Sequence, residues 1–247
     1  MTSLPSDHEG PLASPQDATG LAVALGNLAV QMQAQTDSTD LLTTIVDAGV
    51  KLLPGISWAG VAHVRGKNVL AQVPSDDVAQ KLNELQDELG EGPALSALAD
   101  RENLVIADLS AEERWPRFVK AATDLGVQCL MVFRLFVERE VLGVLTIYGP
   151  APNMFSDESV VVGEIFAQHA AVALAGAAAQ DQMQAAIASR DVIGQAKGIL
   201  MARDKITGLQ AFATMVKASQ EVNLKVSAVA QFVVEQFEKQ LAGTPDR

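Results

Sequence analysis

The run Gln128–Tyr148, QCLMVFRLFVEREVLGVLTIY, decides the fold of most of this chain. Two stretches rich in β-branched, aromatic and other apolar residues, 128–137 and 141–148, flank the charged triplet Glu138-Arg139-Glu140. Stretches of that composition joined by a short polar connection predict an antiparallel hairpin. A central hairpin excludes an all-parallel sheet. We therefore predict an α+β domain in which helices cover a mainly antiparallel sheet.

Upstream of this hairpin the apolar residues alternate between helical and strand periodicity. We predict helices over 21–35, 41–53, 76–89, 94–100 and 111–125, and strands over 58–64, 68–73 and 104–107. Pro54-Gly55 ends the second helix, and Arg65-Gly66-Lys67-Asn68 is the turn of a second hairpin. Residues 1–20, rich in Pro, Ser, Asp and Gly, are predicted to be a disordered tail.

Downstream, a long helix is predicted to begin after Ser156, a residue suited to cap it. It continues through the alanine-rich stretch 170–188, which contains no proline, and we expect it to enter the last part of the chain without a flexible linker. Ala171, Ala175 and Ala178 allow a second helix to approach closely. The sequence leaves open whether that helix belongs to the same chain or to a dimer partner.

The last quarter predicts three amphipathic helices that form a small all-α bundle. The spacing of Thr207 and Gln210 is that of a capping box, and Asn223 can end the second helix or cap the third. The apolar positions predicted to face the core of this bundle fall on three stripes, which are Ile187, Ile193, Ala196 and Leu200, then Leu209, Phe212, Ala213 and Val216, then Val226, Val229, Ala230, Val233 and Phe237.

Charge divides the chain into two unequal parts. The net charge is −12, yet residues 190–247 hold eight Lys/Arg against six Asp/Glu, so this segment is +2 and residues 1–189 are −14. The asymmetry indicates two parts with different partners. A single cysteine excludes a disulfide framework within the chain. With neither a secretory signal nor an apolar run of about 20 residues, we expect a cytoplasmic protein.

Seven polar residues of the last quarter fall outside the predicted core stripes. Cations neutralise phosphates, and amides read the unpaired base edges that RNA loops expose. These candidate RNA-binding residues are Arg190, Gln195, Lys197, Lys217, Gln220, Asn223 and Lys225. On chemistry alone, an ordinary solvated helix surface accounts for them better than a binding site.

Residues 38–178 resemble a GAF domain, a sensor fold. The residues that carry the resemblance are Gly90-Glu-Gly-Pro93, Arg114-Trp-Pro-Arg-Phe118, Leu125-Gly126 and Val141–Tyr148. The resemblance implies a pocket between sheet and helices but names no ligand.

The individual residues of this region predict packing and not chemistry. Gly90 and Gly92 permit turns, Pro93 begins a helix, and Trp115 and Phe118 are packing anchors. His63 and His169 have no partner at metal-ligand spacing, and Cys129 reads as a small core residue. We predict no catalytic residue, no metal site and no cofactor.

The last quarter resembles the ANTAR domain, an RNA-binding module of transcription antiterminators. The matching residues are Ser189-Arg190, Ile193–Met201, Ala211-Phe212, Asn223-Leu-Lys225 and Val229-Ala230. The resemblance implies a homodimer that binds paired RNA hairpins in leader transcripts and releases termination. Relatives commonly carry arginines around residues 217–220, where this chain has only Lys217 beside Glu221. Lys217 is therefore the main candidate for RNA contact in this segment.

Together these patterns predict a GAF–ANTAR transcription antitermination regulator in which a long helix joins an α+β sensor to the three-helix bundle. The expected limits are a tail over 1–20, the GAF domain over 21–178, the ANTAR domain over 179–241 and a tail over 242–247.

Three alternatives stay open. A DNA-binding regulator would need a recognition helix richer in Arg, Asn and Gln than residues 226–238. An enzyme would need a nucleophile–base pair, a metal set or a phosphate loop, and none of these is evident. In a GAF interaction protein, the final helices would dimerise or bind protein without touching RNA.

Overall fold

The computed structural model describes residues 15–35, 37–52, 55–65 and 68–242. The chain divides into two compact units, residues 1–178 and residues 179–247. The elements in chain order are α1 Pro15–Gln33, α2 Ser38–Leu52, β1 Trp58–Arg65, β2 Asn68–Pro74, α3 Asp77–Leu89, α4 Pro93–Asp100, β3 Leu104–Ile106, a 3-10 turn Leu109–Ala111, α5 Pro116–Asp124, β4 Cys129–Val137, β5 Glu140–Gly149, α6 Asp157–Asp204, α7 Gly208–Val222 and α8 Val226–Ala242.

The first unit is built on a five-stranded sheet of order β2-β1-β5-β4-β3. Every adjacent pair of strands is antiparallel, so the predicted α+β class is confirmed. The quoted hairpin supplies β4 and the central strand β5. Its turn is shorter than predicted, because Glu140 already pairs with Val137 and only Glu138 and Arg139 lie outside the ladder. A Cβ atom on Gly143 would overlap the carbonyl oxygen of Ala62 in the neighbouring strand β1, so the two backbones can approach closely only because this residue is glycine.

Helices cover both faces of this sheet. On one face α1, α2 and the first part of α6 pack through Ile45, Phe166 and Leu174 against Phe133 and Leu145. The opposite face packs against α3, α4 and α5, through side chains such as Leu82, Ala97 and Phe118. Because successive strand residues point to opposite faces, a strand covered on both sides must be apolar throughout. This explains the apolar run of β4, which only the half-buried Arg134 interrupts.

The starts of two helices differ most from the predictions. The tail predicted over 1–20 is wrong for residues 15–20, which belong to α1, and residues 1–14 lie outside the described chain. Pro15 is the first residue of α1, a position where its missing N–H costs no hydrogen bond. The helix predicted over 111–125 begins only at Pro116, because proline disfavours helical conformation in the residue before it. The predicted turn residues Pro54, Gly66 and Lys67 also lie outside the described residues.

Helix α6 is continuous over 48 residues and supplies side chains to both units. Ser156 accepts a hydrogen bond from the Ser159 N–H at 3.2 Å, as expected of the capping residue. Ala171 is fully buried in the core of the first unit. Packing within one chain therefore explains why this position carries a small residue. Contrary to the prediction from the sequence, α6 is by length and composition alone apolar enough to span a membrane, and 44% of its apolar stretch is buried inside the structure.

The second unit is a three-helix bundle formed by residues 179–204 of α6 together with α7 and α8. Its core contains Ala196 and Leu200 of α6, Ala211 and Met215 of α7, and Ala230 and Val234 of α8. The capping box of Thr207 and Gln210 is confirmed.

The core stripe predicted for α7 is wrong. Leu209 is 81% exposed, Phe212 is 41% exposed and Ala213 is also exposed, because α7 packs through Ala211 and Met215 instead. Ile187 of α6 and Phe237 of α8 were also assigned to the core and are exposed. A helix that is apolar on two faces has no unique buried face, so the neighbouring helices decide which one enters the core.

Candidate functional site

Three of the seven predicted residues lie on α6, where Arg190 and Gln195 are exposed and Lys197 is half-buried. At about 100° per residue, Arg190 and Lys197 lie within about 20° of each other around the helix axis, whereas Gln195 is about 140° from Arg190. Arg190 and Lys197 therefore share one face, and Gln195 belongs to another.

Lys197 lies against the first residue of α7. A Cβ atom added to Gly208 would be 3.0 Å from Lys197 Cε and 3.3 Å from its Nζ. This contact explains the partial burial of Lys197 and fixes its ammonium group beside the capping box at Thr207. Any phosphate that binds Lys197 must therefore approach the junction of α6 and α7.

Lys217 and Gln220 are exposed on α7, one helical turn apart. Lys217 Nζ is 3.9 Å from the carboxylate of Glu221, and both side chains are largely in solvent. An exposed pair of this kind contributes little to stability, but the negative charge reduces the attraction of Lys217 for a phosphate. Lys217 is therefore expected to attract a phosphate less strongly than its exposed position alone indicates.

Asn223 and Lys225 belong to the turn between α7 and α8. Asn223 ends α7 in a left-handed conformation, φ 52° and ψ 41°, and its N–H donates to the Ser219 carbonyl. The Leu224 N–H also donates to Ser219 O, at 3.1 Å, and the Ser219 hydroxyl donates to Leu224 O. Asn223 thus has a clear structural role, and the turn holds Lys225 at the start of α8.

Lys225 lines a concave surface that the sequence patterns did not reveal. This α6–α8 groove encloses about 480 Å³. Its α6 wall is formed by Ala188, Ser189 and Val192, and the rest by Leu224, Lys225, Ser227, Ala228 and Gln231. The packing of α8 against α6 creates it, so no spacing along the chain could have indicated it. The groove brings Lys225 next to the α6 turn that carries Arg190.

In the first unit the motif residues bind one another. The Glu91 carboxylate accepts hydrogen bonds from the N–H groups of Arg117 and Phe118, at 2.7 and 3.0 Å, and pairs with the Arg117 guanidinium. The hydrogen bond from Phe118 is the largest cause that lowers the pKa of Glu91. Trp115 is buried and its indole N–H donates to the Ser96 hydroxyl at 2.8 Å. The predicted packing roles of Trp115 and Phe118 are confirmed.

The space between the sheet and helices α3 and α4 is almost filled. A cavity of about 30 Å³ remains, lined by Asn83, Gln86 and Asp87 among others. The Gln86 side chain accepts from the Ala94 N–H at 2.8 Å and occupies the place that a Cβ atom of Gly92 would need. Gly92 has φ 148°, a conformation that favours glycine. This volume holds about one water molecule.

Two histidines and the single cysteine of this unit are either buried or held by a backbone contact. His63 is buried in β1, and Nδ1 of His169 hydrogen-bonds the Ile165 carbonyl 2.8 Å away. Burial raises the pKa of the Cys129 thiol, which makes the reactive thiolate scarce at neutral pH. Across the described ranges, His, Cys, Asp and Glu side chains form no group of three or more that could hold a metal ion.

Comparison with known proteins identifies both parts of the chain. A family model described as a GAF domain matches residues 35–175, and one described as an ANTAR domain matches residues 181–234. The comparison with curated proteins gave no match.

Solved structures similar to this chain cover its first unit and show the fold alone. One is fRMsr of Staphylococcus aureus in its reduced form, with 16% identity over 62% of this chain and 94% of that chain, at TM-score 0.51. Another is the GAF domain of a phosphoenolpyruvate-protein phosphotransferase from Coxiella burnetii, with 16% identity over 67% of this chain and 99% of that chain, also at TM-score 0.51. A third is free methionine-R-sulfoxide reductase from Neisseria meningitidis in complex with its substrate, with 16% identity over 71% and 99% of the two chains, at TM-score 0.50. With two family matches in the predicted order, this chain belongs to the GAF domain family and joins its GAF domain to an ANTAR domain, a GAF–ANTAR architecture.

Proposed function

We propose that this protein is a cytoplasmic transcription antitermination regulator that binds paired RNA hairpins in nascent leader transcripts. The observation that carries the proposal is the ANTAR match over residues 181–234, since the ANTAR domain is an RNA-binding antitermination module. The second unit supports it chemically. All seven candidate residues lie there; six are exposed and Lys197 is half-buried.

The proposed RNA contacts are of two kinds. Arg190, Lys197, Lys217 and Lys225 supply positive charge for phosphates, and Gln195 and Gln220 supply amides for unpaired base edges. Asn223 contributes by fixing the turn that carries Lys225. We take residues 179–241 as the RNA-binding domain and residues 21–178 as the sensor domain.

We propose that the GAF domain controls RNA binding by responding to a small ligand or a protein. Its internal cavity of about 30 Å³ is far below the roughly 300 Å³ of a typical small-molecule site. A small ligand between sheet and helices would therefore have to displace Gln86, which breaks its hydrogen bond to Ala94.

Dimerisation is part of the proposal. Every residue from Ala179 to Ala188 on α6 is exposed, including the large apolar side chains Met183 and Ile187. An exposed helical segment with large apolar side chains gains stability when a second helix covers it. We propose that a second copy of the chain pairs with this segment.

The test is a fluorescence titration of the full chain against RNA that carries two adjacent hairpins, with duplex DNA as the control. The proposal expects saturable binding to the RNA, weaker binding to the DNA, and an affinity that falls steeply with salt. Equal binding to both nucleic acids, or none to any hairpin pair from the organism's leader transcripts, would contradict it.

A second candidate function rests on the outward face of α7. Leu209 and Phe212 are exposed there, and this apolar surface lies outside the core of the bundle. The bundle would then bind protein and not RNA. If this function holds, replacing Leu209 and Phe212 by serine should disrupt assembly in size-exclusion chromatography. If it does not hold, the double variant should elute as wild type does and still bind RNA.

A further inference from the structure

We propose that the α6–α8 groove receives one unpaired nucleobase of the bound RNA, and that Lys225 at its edge holds the phosphate of that nucleotide. This inference rests on the proposed RNA binding and assigns one nucleotide of the RNA to a defined place. The groove is open to solvent and has a volume of about 480 Å³.

The walls of the groove fit the flat faces of a base. Ala188, Val192, Leu224 and Ala228 present aliphatic side chains to the groove, and aliphatic surface can pack against the face of a planar ring. Leu224 is 56% exposed at the rim, and the Ser219 hydrogen bonds to its backbone fix its position. A base that enters removes this apolar surface from water, which favours binding.

Polar groups in the groove match the edge of a base. The hydroxyl groups of Ser189 and Ser227 can each donate and accept a hydrogen bond. Gln231 Nε2 donates to Glu235 Oε1 at 3.1 Å, and this contact orients the amide so that its oxygen remains an acceptor. Base edges that are paired in a duplex cannot reach these groups. The groove therefore selects an unpaired loop nucleotide.

Lys225 supplies the charge at the groove. Within the described ranges its Nζ makes no ion pair, in contrast to Lys217 beside Glu221 and Arg203 beside Asp204. The first turn of α8, which follows Lys225 directly, contains no acidic residue. A phosphate near Lys225 would therefore meet positive charge with no carboxylate from that turn to oppose it.

An exposed aromatic residue lies close to the groove along α8. Phe232 follows Ala228 by four residues, so the two side chains are neighbours on one face of the helix, and Phe232 is 61% exposed. Aromatic side chains stack on the bases of single-stranded RNA. We assign Phe232 to the base next to the one in the groove. A partner helix would instead require an apolar strip, and half of the residues that line the groove are polar.

The experiment fills the groove without changing charge. Ala228→Leu and Ala188→Leu, both at exposed positions, should each lower the affinity of the full chain for a two-hairpin RNA by about 5- to 150-fold, since stacking of this kind is worth about 1–3 kcal/mol. The matched control is Ala202→Leu, the same change at an exposed α6 position outside the groove, and it should bind as wild type. The slope of affinity against salt should stay constant in all three variants and decrease only in Lys225→Ala.

Abasic substitution locates the nucleotide. In wild type, removal of one loop base should reduce affinity as much as Ala228→Leu does, and in Ala228→Leu the same removal should cost nothing further. Circular dichroism verifies that each variant is folded. Gln231→Ala, which truncates a side chain and cannot overfill the groove, should also weaken binding to the RNA that contains the base.

The outcomes separate the two proposals. If wild type binds no hairpin RNA, the proposed function fails and the groove assignment fails with it. If wild type binds and folded Ala188→Leu, Ala228→Leu and Gln231→Ala variants bind equally well, the groove assignment is overturned while RNA binding stands. A change of oligomeric state at constant RNA affinity would also overturn it, since the groove would then be a protein contact.

Discussion

At the scale of single residues, Glu91 explains why two distant motifs occur together. It belongs to Gly90-Glu-Gly-Pro93, yet it accepts the backbone N–H groups of Arg117 and Phe118, which open helix α5. Pro116 precedes them and has no N–H to donate. A carboxylate from another part of the chain therefore does the work of a local capping residue. Both motifs are parts of one structural contact.

This contact makes stability depend on pH. The hydrogen bonds lower the pKa of Glu91 in the folded protein, so its contribution is fully present above the ordinary glutamate value of about 4.3 and is lost as pH falls through the lowered pKa. We expect Glu91→Gln to lower the Tm at pH 7, and the difference from wild type to shrink below pH 4. Calorimetric scans between pH 2.5 and 7 test this, and a constant difference would contradict it.

The two lysines of the candidate interface differ in their surroundings. Lys217 faces Glu221 at 3.9 Å, and Lys225 has no such partner among the residues that the structure describes. We expect Lys225→Ala to weaken RNA binding more than Lys217→Ala, and Glu221→Gln to strengthen it about two- to fivefold by removing a repulsion worth up to about 1 kcal/mol. Titrations at several salt concentrations measure this. Weaker binding by Glu221→Gln would show that the carboxylate itself contacts the RNA.

At the scale of elements, α6 contains glycines with opposite surroundings. A Cβ atom on Gly163 would overlap the ring of Phe133 in β4, whereas one on Gly176 would meet nothing within 4 Å. Gly163 therefore sets how closely α6 approaches the sheet. Gly176 has no such role among the described contacts, and in a helix it costs about 1 kcal/mol relative to alanine.

The pair of glycines gives a matched test. Gly163→Ala should destabilise the first unit by about 1–3 kcal/mol, as overpacking does, and Gly176→Ala should stabilise it by up to about 1 kcal/mol. Urea unfolding followed by tryptophan fluorescence reports both. Adding Phe133→Leu to Gly163→Ala should recover part of the loss, and no recovery would show that the glycine matters for another reason.

At the scale of the whole molecule, each unit has its own core and its own charge. Residues 179–247 hold eight Lys/Arg and seven Asp/Glu, so the second unit is +1, and residues 1–178 are −13. This difference supports the proposed RNA binding by the second unit, because the net charge of the first unit repels phosphates. Both tryptophans, Trp58 and Trp115, lie in the first unit. Their fluorescence reports on that unit, and circular dichroism reports on the helices of both.

Separate cores predict separable unfolding. Leu200→Ala removes a buried side chain from the bundle and should destabilise it by about 2–5 kcal/mol. We expect the circular dichroism transition of this variant to broaden toward lower urea while the fluorescence midpoint stays constant. Leu145→Ala, in the first unit, is the control and should shift the fluorescence midpoint. Equal shifts of both signals in Leu200→Ala would show that the units unfold together.

The sequence by itself determined the elements whose cause is local. Alternating and continuous apolar runs predicted the five strands, and Thr207 with Gln210 predicted the capping box, because each depends on residues close in the chain. Family motifs predicted the order of the two domains. Composition also excluded a disulfide framework, and the distribution of charge indicated two parts with different partners.

Only the tertiary structure decided which surfaces are buried and which residues meet. Helix α7 is apolar on two faces, and contact with α6 and α8 selected Ala211 and Met215 for the core over Leu209 and Phe212. The same packing joined Ala188 and Ser189 to Ala228 and Gln231 in one groove, although about 40 residues of chain separate them. Periodicity records how apolar each face of a helix is. Which face becomes buried depends on the neighbouring helices that cover it, and their positions are set by the tertiary fold.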